Sequence, residues 1–354
     1  MKKAIFILIS LILLIGITAC GQEETEEEVG NSNQETENEE NQGQEKDAVE
    51  KTELAEVDIM LDWYPNAVHS YLYAAIENGY FEDEGIKVNI QFPANPTDPI
   101  NLVAAGQITL GISYQPDVVI ARGNQDVPIK AIAAIVRSPL NHTVFLEDSV
   151  INSPIDLEGK TVGYPGIPLN EALIKTMVET DGGDYDKVTM IDVGFELGSS
   201  LTTERVDAVT GAYINHEVPV LKHKGFETRY FNPVDYGVPS FYELVIVTND
   251  DTWNERQADI EAFWRGATKG YEFMKNNPED ALAILLSNQN EANFPLVEEV
   301  ETQSLEILLP KMESALGFGS QDEAAWQETV DWMLELGLLN QAPSLDDIFV
   351  NIVK

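Results

Sequence analysis

The sequence predicts an α/β protein of two lobes, each built around a mostly parallel sheet with helices on both faces. From residue 57 onward, short apolar stretches with strand spacing alternate with stretches of helical spacing. The alternation starts again after residue 151, and the chain becomes helical after residue 259. A βαβα order is typical of parallel sheets. Roughly 300 residues take part, which is enough for two domains of ordinary size.

The first block runs to residue 136 and ends in a long apolar stretch. Ile129–Val136 lies between Pro128 and Ser138 and is typical of a buried strand. Gly79 ends the first predicted helix. The strands predicted in this block are 57–61, 87–91, 110–113 and 129–136, and the helices are 68–78, 99–105 and 116–122.

The second block has the same rhythm and is followed by helices with charged outer faces. Its predicted strands are 161–164, 188–191 and 206–209, and its helices are 169–179 and 197–204. A strand at 244–248 follows, and then helices at 259–276, 278–286, 297–308 and 323–336. We expect residues 57–146 and 244–354 to form lobe 1 and residues 147–243 to form lobe 2. The chain would cross between the lobes at two hinges, near 143–149 and 240–246.

The N-terminal segment predicts export and lipid anchoring. Two lysines precede an apolar run at 4–17, and Cys20, the only cysteine of the chain, follows small residues. The stretch Ile17-Thr18-Ala19-Cys20 resembles a bacterial lipobox, in which the cysteine thiol takes a diacylglycerol and the cysteine becomes the mature N-terminus. The alternative is an uncleaved anchor, but the run is short for a spanning helix. Residues 21–56 are rich in Glu, Gln and Asn, which predicts a disordered acidic tether. We therefore expect a location on the extracytoplasmic face of the cell membrane.

Composition excludes several classes of function. The chain has 61 acidic and 21 basic residues and no basic stripe, so nucleic acid is not an expected partner. No thiol remains once Cys20 is lipidated, and the four histidines lack metal-ligand spacing. No P-loop, GxSxG or GxGxxG motif is present. We expect no metal, no cofactor and no catalytic residue, and we expect a monomer.

Five corners at strand ends share one chemistry, namely Trp or Tyr beside Asp, Glu, Asn or Ser, without Lys or Arg. In open α/β sheets, ligands bind at the carboxyl ends of strands. The candidate ligand-binding residues are Asp62, Trp63, Asn66, His69, Ser113, Tyr114, Tyr164, Tyr213, Glu217, Tyr242 and Glu243. Each corner could alternatively cap a helix or form a turn. Taken together they favour a flat, neutral or cationic nitrogen heterocycle, because anionic ligands call for arginine.

The sequence at and between these corners resembles that of the thiamine-pyrimidine (NMT1/Thi5-like) solute-binding proteins of ABC importers. The resemblance covers residues 57–250 and, more loosely, the helical remainder. It is carried by Leu61-Asp62-Trp63-Tyr64-Pro65-Asn66 with His69, Gly79-Tyr80-Phe81, Ser113-Tyr114-Gln115-Pro116-Asp117, Asp156-Leu157-Glu158-Gly159-Lys160 and Gly237-Val238-Pro239 with Tyr242-Glu243.

The resemblance implies a type II periplasmic-binding-protein fold that delivers a thiamine precursor to a membrane permease of an ABC transporter. The implied ligand is N-formyl-4-amino-5-aminomethyl-2-methylpyrimidine or a hydroxymethyl analogue. On this hypothesis Trp63 and one or more of the tyrosines at 114, 164, 213 and 242 stack on the ring. Glu217 or Asp62 accepts hydrogen bonds from it, and Asn66, His69 and Ser113 position the exocyclic group.

The wider superfamily includes a fungal enzyme of pyrimidine synthesis, from which this chain departs. Ser113 stands where the enzyme carries its cofactor lysine, and Asp117 stands where it carries its sacrificial histidine. The residues 238–241 replace its cysteine cluster. We therefore expect a binding protein. The alternatives left open are a receptor for riboflavin or another flat heterocycle, an alkanesulfonate or taurine receptor, an extracytoplasmic enzyme, and a scaffold without a ligand.

Overall fold

The computed structural model describes residues 53–289 and 295–353. The predicted signal, Cys20 and the acidic tether up to residue 52 lie outside the described residues. The strands of the described part are β1 (Ala55–Met60), β2 (Ile86–Gln91), β3 (Leu110–Ser113), β4 (Ile129–Val136), β5 (Asn141–Leu146), β6 (Thr161–Tyr164), β7 (Thr189–Asp192), β8 (Ala208–Tyr213), β9 (Thr228–Phe231) and β10 (Leu244–Asn249).

Helices follow most of these strands. They are α1 (Ser70–Glu77), α2 (Asp98–Ala104), α3 (Gln115–Gln125), α4 (Pro168–Thr180), α5 (Leu197–Thr202), α6 (Glu217–His223), α7 (Asp250–Asn276), α8 (Pro278–Ser287), α9 (Glu298–Met312), α10 (Glu323–Glu335) and α11 (Leu345–Ile348). A search of the described residues for a helix with the length and apolar character to span a membrane finds none.

The strands form two five-stranded sheets, which confirms the prediction of two α/β lobes. The first sheet has the order β2-β1-β3-β10-β4, and the second has the order β7-β6-β8-β5-β9. In each sheet only one strand runs against the others, β10 in the first and β5 in the second. Each reversed strand is the first strand that the chain forms after it crosses from the other sheet.

The first crossing lies earlier than the sequence predicts. β5 pairs with β8 and β9 of the second sheet, so the chain crosses at residues 137–140 rather than near 143–149. Residues 141–146, expected in lobe 1, therefore belong to the second sheet. The sequence analysis also missed β9 and α6, which are short. β8 extends to Tyr213, beyond the predicted end at 209, because Tyr213 pairs with Asn141.

The predicted buried strand is confirmed, since every residue of β4 except Lys130 is buried.

Helices α1 and α7 pack closely enough to require glycine at their contact. A Cβ added at Gly270 of α7 would lie 2.1 Å from the carbonyl oxygen of Tyr71 in α1. The close approach of α1 and α7 therefore depends on glycine at this position.

Candidate functional site

A cavity lies between the two lobes, at the sheet edges where the parallel strands have their carboxyl ends. We name it the interlobe cavity. Lobe 1 contributes Asp62, Trp63, Asn66, Val68 and Tyr114. Lobe 2 contributes Asn141, Pro165, Ile167, Leu169, Asn170, Gly211, Tyr213, His216 and Glu217. Its lining therefore combines three aromatic rings with two carboxylates, and neither lysine nor arginine is among the described residues that line it.

The corner after β1 is held by a chain of hydrogen bonds through His69. Asn66 caps the short helix that follows, because its side-chain oxygen accepts from Val68 N at 3.1 Å. His69 Nδ1 accepts from Asn66 N at 3.2 Å, so Nε2 carries the proton and donates to Asp62 Oδ1 at 3.0 Å. His69 is fully buried and does not line the cavity. It positions Asp62, which does.

Glu301 of α9 supports the same corner from the helical part of lobe 1. Its Oε2 accepts from Ala67 N at 2.7 Å, and Glu301 is 1% exposed. Burial raises the pKa of Glu301, while His216, whose Nδ1 lies 3.8 Å from Glu301 Oε1, opposes the rise. Among the described residues, His216 Nδ1 has no hydrogen-bond partner. His216 lines the cavity, and its Nδ1 is buried on the side of Glu301.

The corner after β8 presents the second carboxylate. Glu217 Oε2 accepts from Tyr213 N at 2.7 Å, which fixes the carboxylate at the start of α6. Burial raises the pKa of Tyr213 and of Tyr114 well above the usual value, so both phenols remain protonated donors. Gly211 has φ +91°, and a Cβ there would lie 2.7 Å from Pro165 Cδ. Glycine therefore lets the backbone approach the 165–167 turn.

Glu243 serves the hinge rather than the cavity. It is 0% exposed, and its Oε2 accepts from Leu140 N at 2.6 Å and Asn141 N at 2.9 Å. Its Oε1 accepts from the Tyr213 hydroxyl at 3.1 Å. Burial raises the pKa of Glu243 to about 7 against the lowering effect of these donors. The side chain thus joins the two crossings and positions Tyr213.

Two asparagines missed by the sequence analysis complete the lobe 2 wall. Asn141 Nδ2 donates to Asn170 Oδ1 at 2.8 Å, and Asn141 Oδ1 accepts from Gly211 N at 2.8 Å. Asn141 begins β5, and Asn170 lies in the first turn of α4. The signal in the sequence was faint, because neither residue stands at the carboxyl end of a strand.

The lobes contact each other around the cavity. The Trp63 ring meets Phe195 of lobe 2 edge-on at a centroid distance of 4.4 Å. Asp117 Oδ1 of α3 accepts from Leu169 N of α4 at 3.1 Å. Trp332 Nε1 of α10 donates to Thr176 Oγ1 at 3.1 Å. These three contacts join lobe 1 to lobe 2 in this structure.

The structure brings six of the predicted residues to the cavity and places five elsewhere. The six are Asp62, Trp63, Asn66, Tyr114, Tyr213 and Glu217. His69 and Glu243 support cavity residues from behind, and Ser113 lines a neighbouring cavity. Tyr164 donates to Glu171 at 2.9 Å. Tyr242 is buried, and its hydroxyl accepts from Asp322 N at 2.8 Å.

Comparison with known proteins identifies the relatives of this chain. Residues 66–281 match the NMT1/THI5 like family model. The formylaminopyrimidine-binding protein of Halalkalibacterium halodurans is 57% identical over 300 residues, which are 84% of this chain and 91% of that protein. The 4-amino-5-hydroxymethyl-2-methylpyrimidine phosphate synthase of Legionella pneumophila is 25% identical over 71% of this chain and 79% of that protein.

Solved structures with the same fold come from both bacteria and fungi. A Candida albicans protein described as having the generic periplasmic binding protein fold aligns with a TM-score of 0.63 at 15% identity, over 84% of this chain and 96% of that one. The ligand-binding component of an ABC-type import system from Staphylococcus aureus aligns with a TM-score of 0.65 at 15% identity, over 84% and 97%. The chain thus has the periplasmic-binding-protein fold, as the resemblance implied, and it belongs to the NMT1/THI5-like family.

Proposed function

We propose that this chain is the substrate-binding component of an ABC importer and that it binds formylaminopyrimidine, a thiamine precursor, between its two lobes. The composition of the interlobe cavity is the observation that supports this ligand. Trp63, Tyr114 and Tyr213 offer flat surfaces, and Asp62 and Glu217 offer acceptors. An aminopyrimidine has a flat ring and an amino group that donates hydrogen bonds, so the two match.

Each carboxylate has one oxygen available for the ring. Glu217 uses Oε2 for Tyr213 N, and Asp62 uses Oδ1 for His69; the described residues supply no partner to the other oxygen of either group. A hydrogen bond to a charged group contributes about 1.5–3 kcal/mol, against about 1 kcal/mol for a neutral one. We therefore assign the largest share of ligand affinity to these two acids, with the ring stacked on Trp63 or a tyrosine.

Closure of the lobes follows from the position of these groups. Asp62 and Trp63 belong to lobe 1, whereas Tyr213 and Glu217 belong to lobe 2. A ligand that contacts both sets binds the closed arrangement better than the open one and shifts the equilibrium toward it. Small-angle scattering should show a smaller radius of gyration with ligand, and identical profiles would contradict this mechanism.

We further propose that the chain acts at the extracytoplasmic face of the membrane, anchored through Cys20, as a monomer that delivers its ligand to a permease. The lipobox-like stretch and the acidic segment up to residue 56 support the anchor. Mass spectrometry of the mature parent protein should find a diacylglycerol on Cys20, and a Cys20→Ala variant should lack this modification. Light scattering during gel filtration should give the mass of one chain.

A second candidate is an enzyme of pyrimidine synthesis, because some relatives carry that name. The side chain of Ser113 at the end of β3 has no amine with which to hold a carbonyl cofactor, which favours binding without turnover. Incubation of the protein with its pyrimidine ligand should return the ligand unchanged. A new pyrimidine product would favour the enzyme.

The ligand itself is tested by mass spectrometry of small molecules released from protein purified without its first 20 residues. We expect formylaminopyrimidine, or tight binding of it in a calorimetric titration. Riboflavin and taurine, added as competitors, should fail to displace it. Binding of riboflavin or taurine in its place would overturn the ligand assignment.

A further inference from the structure

A second cavity of about 200 Å³ adjoins the interlobe cavity. We name it the rear cavity. It is formed by the end of β3, one face of α3, the segment 96–101 and the lobe 2 turn 166–168. Tyr114 and Ile167 line both cavities. The two cavities are therefore adjacent at Tyr114 and Ile167.

Two buried polar side chains of the rear cavity have hydrogen-bonding capacity to spare. Ser113 is 4% exposed, and its hydroxyl has no hydrogen bond within the part of the chain that the structure describes. Asp117 is 6% exposed and uses Oδ1 for Leu169 N, while its Oδ2 has no partner among the same residues. Buried polar groups are normally paired. A free donor and a free acceptor that line the same cavity complement the two polar atoms of an amide group.

The remaining wall of the rear cavity is largely apolar. Pro99, Ile100, Ile112, Ile120 and Ala121 contribute to it. None of the described residues that line it is a lysine, an arginine or a histidine. An anionic substituent would therefore lack a counter-charge, whereas a short alkyl chain attached to an amide would be matched along its length.

We propose that the rear cavity is an acyl subsite, which receives the acyl group on the exocyclic nitrogen of the pyrimidine. Ser113 donates to the acyl carbonyl, and Asp117 accepts from the amide N–H. The inference rests on the proposed function and extends it to a ligand class, the N-acyl aminopyrimidines, with acyl chains longer than formyl included. Burial raises the pKa of Asp117 to about 7. Binding is therefore measured at pH 8, where the Asp117 carboxylate is mostly ionised and accepts hydrogen bonds.

Calorimetry with three pyrimidines that share one ring tests this subsite. The probes are the hydroxymethyl compound, the N-formyl-aminomethyl compound and the N-butyryl-aminomethyl compound. We expect butyryl and formyl ligands to bind the parent protein within tenfold of each other. In Ser113→Ala, the ratio of acyl-ligand to hydroxymethyl-ligand affinity should fall about five- to tenfold. Asp117 is unsuitable for substitution because it also holds Leu169.

Variants that fill the rear cavity distinguish the contribution of the acyl chain to binding from that of the ring. Ala121→Phe should lower the ratio of butyryl to formyl affinity at least tenfold, and Ala121→Leu serves if the larger side chain prevents folding. Ala283→Phe, on the exposed face of α8, adds the same bulk elsewhere and should leave this ratio as in the parent. Parent protein that binds formyl but rejects butyryl overturns the proposal, as do variant ratios equal to the parent's. If the parent protein binds none of the three pyrimidines, the proposed function is overturned instead.

Discussion

Glu217 and Glu243 stand in similar sequence surroundings, close to aromatic residues at two of the corners, yet the fold uses them differently. Glu217 lines the interlobe cavity and accepts one hydrogen bond, from Tyr213 N. Glu243 is fully buried and accepts three, from Leu140 N at the end of the first crossing, from Asn141 N at the start of β5 and from the Tyr213 hydroxyl. The number of hydrogen bonds that a carboxylate already accepts therefore distinguishes a candidate ligand-binding acid from a structural one.

The largest effect on stability should come from removing the carboxylate of Glu243. Glu243→Ala leaves the backbone N–H groups of Leu140 and Asn141 without an acceptor, and an unpaired buried donor costs about 1–3 kcal/mol. We expect the free energy of unfolding to fall by about 3 kcal/mol in a urea titration. Glu243→Gln keeps one acceptor oxygen and should lose less. An alanine variant as stable as the parent would remove the distinction between the two acids.

Substitution of Glu217, which lines the interlobe cavity, should weaken ligand binding and leave the free energy of unfolding nearly unchanged. In Glu217→Gln, loss of a charge-assisted hydrogen bond of about 1.5–3 kcal/mol should raise the Kd for formylaminopyrimidine about 10- to 100-fold. Tyr164→Phe is the matched control, because its hydroxyl contacts Glu171 outside the cavity. Equal Kd values for the glutamine variant and the parent would exclude Glu217 from ligand recognition.

The pH dependence of stability sharpens the role of Glu243. Its pKa is raised by burial from 4.5 to about 7, so the folded protein holds a proton that the unfolded chain releases between those values. This contribution is fully present below about pH 4.5 and is lost as the pH rises through about 7. The stability of the parent relative to Glu243→Gln should fall by about 1–3 kcal/mol from pH 5 to pH 8. A constant difference across this range would contradict the assignment.

The smallest expected effect concerns the contact between Trp332 and Thr176. Trp332→Phe removes one hydrogen bond between the lobes and keeps an aromatic ring beside Phe241. We expect a loss of about 1 kcal/mol in the closed form, seen as a roughly fivefold higher Kd for the ligand. Thr176→Val should act in the same direction. An unchanged Kd in both variants would show that this bond is also present in the open form.

Much of the fold was predictable because the apolar periodicity of this chain is strong. The strand at Ile129–Val136 was found with both ends correct, since an uninterrupted apolar stretch between proline and serine allows few alternatives. β5 was missed as a strand of the second sheet, because pairing between β5 and β8 is a long-range choice that its own residues do not reveal.

The site was predictable only in part, for a related reason. The rule that ligands bind at carboxyl ends of strands located the corners of Asp62 and Glu217. It could not locate Asn141, which begins a reversed strand, because the amino end of a reversed strand lies at the same edge as the carboxyl ends of its neighbours. Glu301 was missed because it lies 234 residues after Ala67 in the sequence, in a helix whose own pattern does not reveal this contact.

A crystal structure of the protein with formylaminopyrimidine would locate the ligand directly. We expect the ring to lie in the interlobe cavity against Trp63 or a tyrosine, with its amino group within hydrogen-bond distance of Glu217 or Asp62. A ring bound outside this cavity, or bound within it without contact to either carboxylate, would show that Asp62 and Glu217 do not recognise the ligand.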